Sequence, residues 1–418
     1  MEYSRERYLT RLIASMGTDQ VKVVTGVRRC GKSYLLGTLF RRYLVHEEGV
    51  RADHIISVEF DGFLGARYRD PATFMDYVLG QVAGDGQYYL ILDEVQLLGS
   101  FVEVLNDLIR MKNVDVYVTG SNARLLSRDV VTEFRGRAEE ILLRPLSFSE
   151  FMKGYEGDKR DAYEEYALYG GLPPVALRND ERGKADYLRD VYRETYIRDI
   201  LDRNDIRSPG DLEDLVDVLS SNIGSVTNPT KIANTFASAH RDGISRVTVE
   251  RYITFLEDSF LFETAQRYDI KGRKYIGAGV KYYAIDPGLR NARLNFRQVE
   301  GAHIMENVIY NELRARGYGV DVGVVSSQRR GADGKQQRVS YECDFVCNMG
   351  SRRCYIQSAY ALPTREKVEQ EQASLLRIPD SFKKVIVVKD GVRPHYNDEG
   401  ILVLNLYDFL LDERSLEF

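Results

Sequence analysis

The stretch Gly26-Val27-Arg28-Arg29-Cys30-Gly31-Lys32-Ser33 constrains this chain more than any other. It follows the pattern G-x-x-x-x-G-K-[ST], and each fixed position has a physical job. The glycines let successive backbone amides turn inward as a nest for a phosphate. Lys32 brings a positive charge to the β- and γ-phosphates. Ser33 offers a hydroxyl to Mg2+ and opens a helix whose N-terminal dipole favours an anion. The context agrees. Val21-Lys22-Val23-Val24-Thr25 reads as a buried strand before the loop, and Ser33 to about Tyr43 reads as a helix after it. The expected ligands are ATP or ADP with Mg2+, held along the loop from Gly26 to Tyr34. Arg28 and Arg29 add charge inside it, open to three readings: phosphate contact, contact with a neighbouring chain, or solvent.

Two acids follow at the right place. Tyr88-Tyr89-Leu90-Ile91-Leu92 is an apolar strand ending in Asp93-Glu94. Such a strand delivers Asp93 to Mg2+, usually through water, and leaves Glu94 to polarise an attacking water. The expected metal set is Ser33 with Asp93. Ser121 and Asn122, just past the next strand, read either as sensors of the γ-phosphate or as the N-cap of a helix over 123–126. Arg137 reads either as an arginine supplied to a neighbouring subunit's site or as a solvated loop residue.

The same alternation runs through the first ~145 residues. Strands are predicted at Ile55–Phe60, Tyr88–Leu92, Val114–Thr119 and Glu140–Leu143, with helices at Ala72–Val82 and Phe101–Met111. This implies an α/β fold, a parallel sheet with helices on both faces. From Ser147 to about Asn204 the pattern turns helical and Tyr-rich, broken by Gly170-Gly171-Leu172-Pro173-Pro174. Helices follow near Leu212–Asn222, Pro229–Ala237 and Val247–Ser259, and then a ribbon through Phe262–Tyr268 and Lys281–Ile285. A small α/β unit ends the chain: a helix at Glu306–Arg316, strands at Gly319–Val325, Tyr341–Cys347 and Arg353–Ser358, a helix at Arg365–Leu376 and a strand at Lys384–Val388.

Composition narrows the partners. At 418 residues the chain exceeds one ordinary core, and 44% hydrophobic with 29% charged residues is a globular profile. A net charge of −5 excludes general polyanion binding. No apolar run is long enough for a membrane span, no signal-peptide core is visible, and four cysteines suit a reducing cytoplasm. Cys343, Cys347 and Cys354 read as buried thiols or, with no fourth partner nearby, as an incomplete zinc set.

Three helices and a ribbon match a winged-helix arrangement. The candidate helix, 247–259, has an outer face that could carry Arg246, Arg251 and Thr254. Between Ala265 and Arg297 there are eight Lys/Arg, including Lys281, Arg290 and Arg293, against two Asp. Lys271-Gly272-Arg273-Lys274 stands at the expected wing tip. Double-stranded DNA through residues 246–281 is one expected partner. Glu257, Asp258 and Glu263 favour a protein partner instead.

Several motifs together resemble the AAA+ superfamily, and more narrowly a family of prokaryotic ATP-binding proteins with an N-terminal AAA module and a C-terminal domain of unknown function. The resemblance rests on Thr25–Ser33, Leu92-Asp93-Glu94-Val95-Gln96, Thr119-Gly120-Ser121-Asn122, Gly136-Arg137 and Arg144–Phe151. It continues in Tyr169–Pro173, Tyr196-Ile197-Arg198-Asp199-Ile200, Glu306-Asn307 and Glu342-Cys343-Asp344-Phe345. It implies an ATPase core over 1–146, a helical lid over 147–205, a winged-helix segment over 206–298 and a restriction-endonuclease-like domain over 299–418. It also implies a nuclease metal set: Asp344 on a strand, Glu306 on a helix, and Gln357 on the next strand. The lysine slot of that pattern holds Ala359, so the expected reading is a nuclease fold kept for shape or binding, and an ATP-gated nuclease is the alternative.

Overall fold

The computed structural model describes residues 2–120, 134, 136–204, 206, 208–239, 244–330 and 336–417. It resolves into two compact units, one built on residues 1–145 and the other on residues 146–257 and 261–418.

In the first unit, runs of β-branched and aliphatic residues form five strands. They are β1 (Val21–Thr25), β2 (Ile55–Glu59), β3 (Tyr88–Asp93), β4 (Val114–Thr119) and β5 (Ala138–Leu142). All pair in parallel, in the order β2-β3-β4-β1-β5. Parallel strands are covered on both faces, and every residue of β1 and β4 is buried. That buries Lys22, a cation the strand pattern leaves unexplained. Asp115 of β4 pairs with it, Thr18 O accepts from its Nζ at 3.1 Å, and Tyr117 Oη donates to Asp115 at 2.8 Å. Phe60, Phe74, Leu90, Leu92 and Val116 lie in one core cluster. The helix Pro71–Gln81 starts where its sequence says: Asp70 accepts from Thr73 N, with proline at the first helical position.

Strand order positions the site. With β4 between β1 and β3, the carboxyl ends of all three strands lie side by side. Val24 registers with Thr119, and Leu92 with Val118. Arg137 lies at the other end of the sheet. It precedes Ala138, which registers with Val21 at the start of β1, and its carbonyl accepts from Val21 N at 2.8 Å.

The second unit begins with a capping box in Ser147-Phe148-Ser149-Glu150: Ser147 Oγ accepts from Glu150 N, and Glu150 accepts from Ser147 N. Helices Pro209–Ser221, Pro229–Ala239 and Arg246–Asp258 lead to the ribbon β6 (Phe262–Asp269) and β7 (Lys274–Ala284). Helices Pro287–Arg293 and Gly301–Ala315 follow. The remaining strands are β8 (Gly319–Arg330), β9 (Gln336–Met349), β10 (Arg352–Ala359), β11 (Lys383–Val388), β12 (His395–Tyr396) and β13 (Leu402–Asn405).

One sheet runs across the division read from sequence. The ribbon does not stand apart as a wing. β6 pairs in parallel with β8, and Ile270 N donates to Val324 O at 3.1 Å, so one sheet runs β12-β13-β11-β10-β9-β8-β6-β7 across the expected boundary at 298. The boundary at 205 is bridged too. Asp286 accepts from Gly171 N at 2.7 Å, and Asn291 Nδ2 donates to Ala167 O at 2.9 Å. Gly288 has no room for a side chain, since a Cβ there would lie 2.0 Å from Tyr169 O. Pairings between residues a hundred positions apart leave no trace in local patterning. No helix among the described residues is long and apolar enough to cross a membrane.

Candidate nucleotide site

The loop between β1 and the following helix carries the sequence motif, and its backbone explains the glycines. Gly26 has φ 140°, and a Cβ there would lie 2.1 Å from Leu143 O, so both conformation and space require glycine. Gly31 has φ 100° and Arg29 φ 66°. Lys32 is buried and folds back on the loop, donating to Gly26 O at 2.9 Å and Val27 O at 3.2 Å. Val27 and Cys30 are buried; burial pushes the Cys30 thiol up, against the charges of Lys32 and Arg5. Arg28 is half-buried and Arg29 exposed. Tyr34 donates its hydroxyl to Glu2, which also pairs with Arg42 at 3.0 Å.

The acids meet the loop as the strand order dictates. Ser33 Oγ lies 3.0 Å and 2.9 Å from the two carboxylate oxygens of Asp93. Thr119 Oγ1 donates to Asp93 and accepts from Glu94 N at 3.0 Å. Thr119 is fully buried and ties both acids to β4. Its role went unread in the sequence, where attention fell on Ser121 and Asn122; those two lie outside the described residues. A signal existed, since threonine ends the strand beside a strand ending in acids. Burial raises the Asp93 carboxyl above its ordinary range, against hydrogen bonds from Thr119 and Ser33 that lower it. Glu94 sits in the left-handed region at φ 53°, and its carboxylate accepts from Gln96. A hydroxyl beside a carboxylate is the hard-oxygen donor set that suits Mg2+, so Ser33 and Asp93 fit that ion. Arg137 is exposed at the sheet end opposite the loop. The length of β5 puts it about 15 Å or more from its own chain's phosphate nest, out of reach of that site.

The residues implied for a nuclease metal set lie in the second unit. Glu306 and Asp344 are brought together, but by a residue the sequence reading placed on a wing. Lys281 of β7 is buried, with Nζ 2.9 Å from Glu306 Oε1, 2.8 Å from Glu342 Oε1 and 3.6 Å from Asp344 Oδ1. Tyr283, two residues along on the same strand face, donates to Glu306 Oε1 at 2.6 Å. Asp344 Oδ2 accepts from Ser358 N at 2.8 Å. The Gln357 amide is engaged with Asp344 N at 3.4 Å and Glu371 at 3.2 Å. Burial pushes the Asp344 carboxyl up to about 8, with the charge of Glu306 adding and that of Lys281 opposing. Burial opposes the charge on Lys281, yet Glu306, Asp344 and Glu342 together raise it above the ordinary lysine range.

The basic stretch is partly spent internally. Lys281 is in that cluster. Arg290 is buried and donates to Ser220 O at 2.8 Å, and Arg293 pairs with Glu213 at 3.2 Å and with Asp217. Lys271, Arg273 and Lys274 remain exposed, as do Arg246, Arg251 and Thr254 on the helix Arg246–Asp258. Arg246 is paired with Glu250 at 2.8 Å. Cys343, Cys347 and Cys354 are buried thiols, Cys347 and Cys354 facing one another across β9 and β10.

Fold and site define the class: an AAA-type P-loop ATPase fold followed by a second unit. Residues 18–152 match the family described as AAA domain, and residues 160–300 match the Domain of unknown function (DUF8612). An uncharacterized protein of Haemophilus influenzae is 33% identical over 414 residues, covering 98% of each chain. The chain belongs to that family of prokaryotic AAA-type ATP-binding proteins. An uncharacterized protein of Methanocaldococcus jannaschii is 26% identical over 403 residues, covering 93% of this chain and 85% of that protein. Among solved structures, a Walker-type ATPase of Pyrococcus abyssi is similar over 70% of this chain and 96% of its own, at 16% identity and a TM-score of 0.49.

Proposed function

We propose that the protein binds ATP with Mg2+ at residues 26–34, hydrolyses it with Glu94 as the base, and couples nucleotide state to a partner held by its second unit. The observation that carries this reading is Thr119, which joins Asp93 and Glu94 through one buried hydroxyl, while Ser33 contacts Asp93 directly. A site that only cradles phosphate has no need to hold an acid at the position of Glu94. Lys32 would leave its loop carbonyls for phosphate oxygens. Ser33 and Asp93 would hold the magnesium, which when bound neutralises phosphate charge. Arg137 would serve a neighbouring subunit, so turnover is expected to rise with protein concentration.

The partner is DNA or protein. The exposed tip Lys271-Gly272-Arg273-Lys274 and the outer face of the helix Arg246–Asp258 support DNA. The paired state of Arg246 and the buried state of Lys281, Arg290 and Arg293 support protein docking. Phosphate release measured with and without duplex DNA tests the whole reading. The parent is expected to turn over ATP, Lys32→Ala to lose nucleotide binding, and Glu94→Gln to bind without hydrolysis. Parental turnover in Glu94→Gln removes Glu94 as the base.

A further inference from the structure

The nuclease-like pattern in the second unit lacks its lysine on β10, where Ala359 stands, yet its carboxylates are not without a cation. Glu306 comes from the helix Gly301–Ala315, Glu342 and Asp344 from one face of β9, and all three converge on Lys281 of β7. An ammonium group has three N–H donors. Here two oxygens lie at 2.8 and 2.9 Å and a third at 3.6 Å. Two further acceptor positions are taken: Tyr283 donates to the same oxygen of Glu306, and Ser358 N to the far oxygen of Asp344. Gly224 closes the cluster from another side, since a Cβ there would lie 3.1 Å from Glu306 Oε1.

A divalent ion shared by these carboxylates needs metal–oxygen distances of about 2.0–2.6 Å. An ion at that distance among the oxygens facing Lys281 would have to take lone pairs that the ammonium already engages, and would set a second cation inside the same buried cluster. The residues therefore do not fit the metal that the nuclease resemblance implies. We propose that the Lys281 ammonium is the resident cation of this cluster, filling the seat a divalent metal would need and locking β7, the helix Gly301–Ala315 and β9 together without metal. The lysine missing from β10 is thus not replaced by a catalytic one. Its charge has been moved to a place where it excludes the ion.

The proposal makes a reversal testable. Removing the amine while keeping a side chain of similar length should open a divalent-cation site. The full-length chain is titrated with Mn2+ without nucleotide, bound ion being read by electron paramagnetic resonance, for the parent, Lys281→Met and Lys281→Met/Asp344→Asn. Any weak ion at Ser33 and Asp93 is common to all three and cancels. Lys281→Met is expected to gain one Mn2+ held at least about ten-fold tighter than any in the parent, and the double variant to lose it. The melting temperature of Lys281→Met should rise with Mn2+ by more than that of the parent or the double variant. If Lys281→Met folds only when Mn2+ is present, that rescue counts for the lock. Lys281→Gln covers the case in which it does not fold at all: an added Mn2+ site there supports the lock, and none overturns it. Mn2+ bound by the parent and lost in Asp344→Asn also overturns it, as does metal-dependent nicking of DNA by the parent.

Discussion

Two groups of acids in this molecule face the same problem and solve it differently. In the first unit, Asp93 is held by the hydroxyls of Ser33 and Thr119, with no cation at hydrogen-bonding distance among the described contacts. In the second, Glu306, Glu342 and Asp344 surround the buried ammonium of Lys281. Neutral donors orient a carboxylate and leave its charge to be balanced from outside, which is what an ion-dependent nucleotide site needs. A resident ammonium supplies countercharge from within the fold and engages the oxygens an ion would use. Both are assembled from residues far apart in the chain: Ser33, Asp93 and Thr119 in the first unit, Lys281, Glu306, Glu342 and Asp344 in the second.

The comparison breaks first at Glu94. Glu94→Gln should lower steady-state hydrolysis by about 10²–10⁴-fold while ATP binding, followed by a fluorescent analogue, stays near parental. A smaller effect is expected at the group that orients the acids. Thr119→Val removes a buried hydroxyl that gives to Asp93 and takes from Glu94 N. Turnover should fall by about 10–100-fold, the scale of one or two lost buried hydrogen bonds, and Thr119→Ser should restore most of it. Equal activity in Val and Ser variants would mean that the acids hold themselves.

The second cluster is sharpened by pH. The folded-state pKa of Asp344, about 8, lies above its ordinary value, so the folded chain holds this proton more tightly than the unfolded one. Stability from this group is fully present in acid, below the ordinary carboxylate pKa, and is lost as pH rises through about 8. Asp344→Asn keeps an acceptor for Ser358 N and removes the titration. Between pH 6 and 9 the unfolding transition of the second unit should fall in the parent and stay flatter in the variant. The gap should be several degrees, at about 2–4 °C per kcal/mol. Parallel curves for the two chains would remove Asp344 as a buried acid.

The smallest effect concerns charges that neither cluster uses. Changing Lys271, Arg273 and Lys274 together to alanine should weaken duplex-DNA binding and flatten the log–log salt slope by up to about three units. Unchanged affinity and slope would leave protein docking as the use of this surface.

Much of the first unit was legible in the sequence because its signals are local. Strands Val21–Thr25 and Val114–Thr119 appear where the apolar runs are, and the loop geometry at Gly26 and Gly31 follows from the residues themselves. The helix Glu6–Ala14 was missed although Tyr8 and Leu12 mark its buried side, and so was β13, a four-residue run that is entirely buried. Those were readable and unread.

Other features were not readable. The sequence by itself determined where phosphate can be cradled, which strand ends in acids, and where helices such as Arg365–Leu376 start, since each depends on neighbours a few residues away. Tertiary structure alone decided that Thr119 stands between Asp93 and Glu94, because that depends on β4 lying between β1 and β3. It alone decided that Lys281 belongs to Glu306, Glu342 and Asp344 and not to a DNA-facing wing, because β6 pairs with β8 and carries β7 into the sheet. A charge looks the same in sequence whether water or a carboxylate neutralises it. Only the fold brings the partner within 3 Å and removes the water, and that desolvated pairing is what turns a basic residue into a lock.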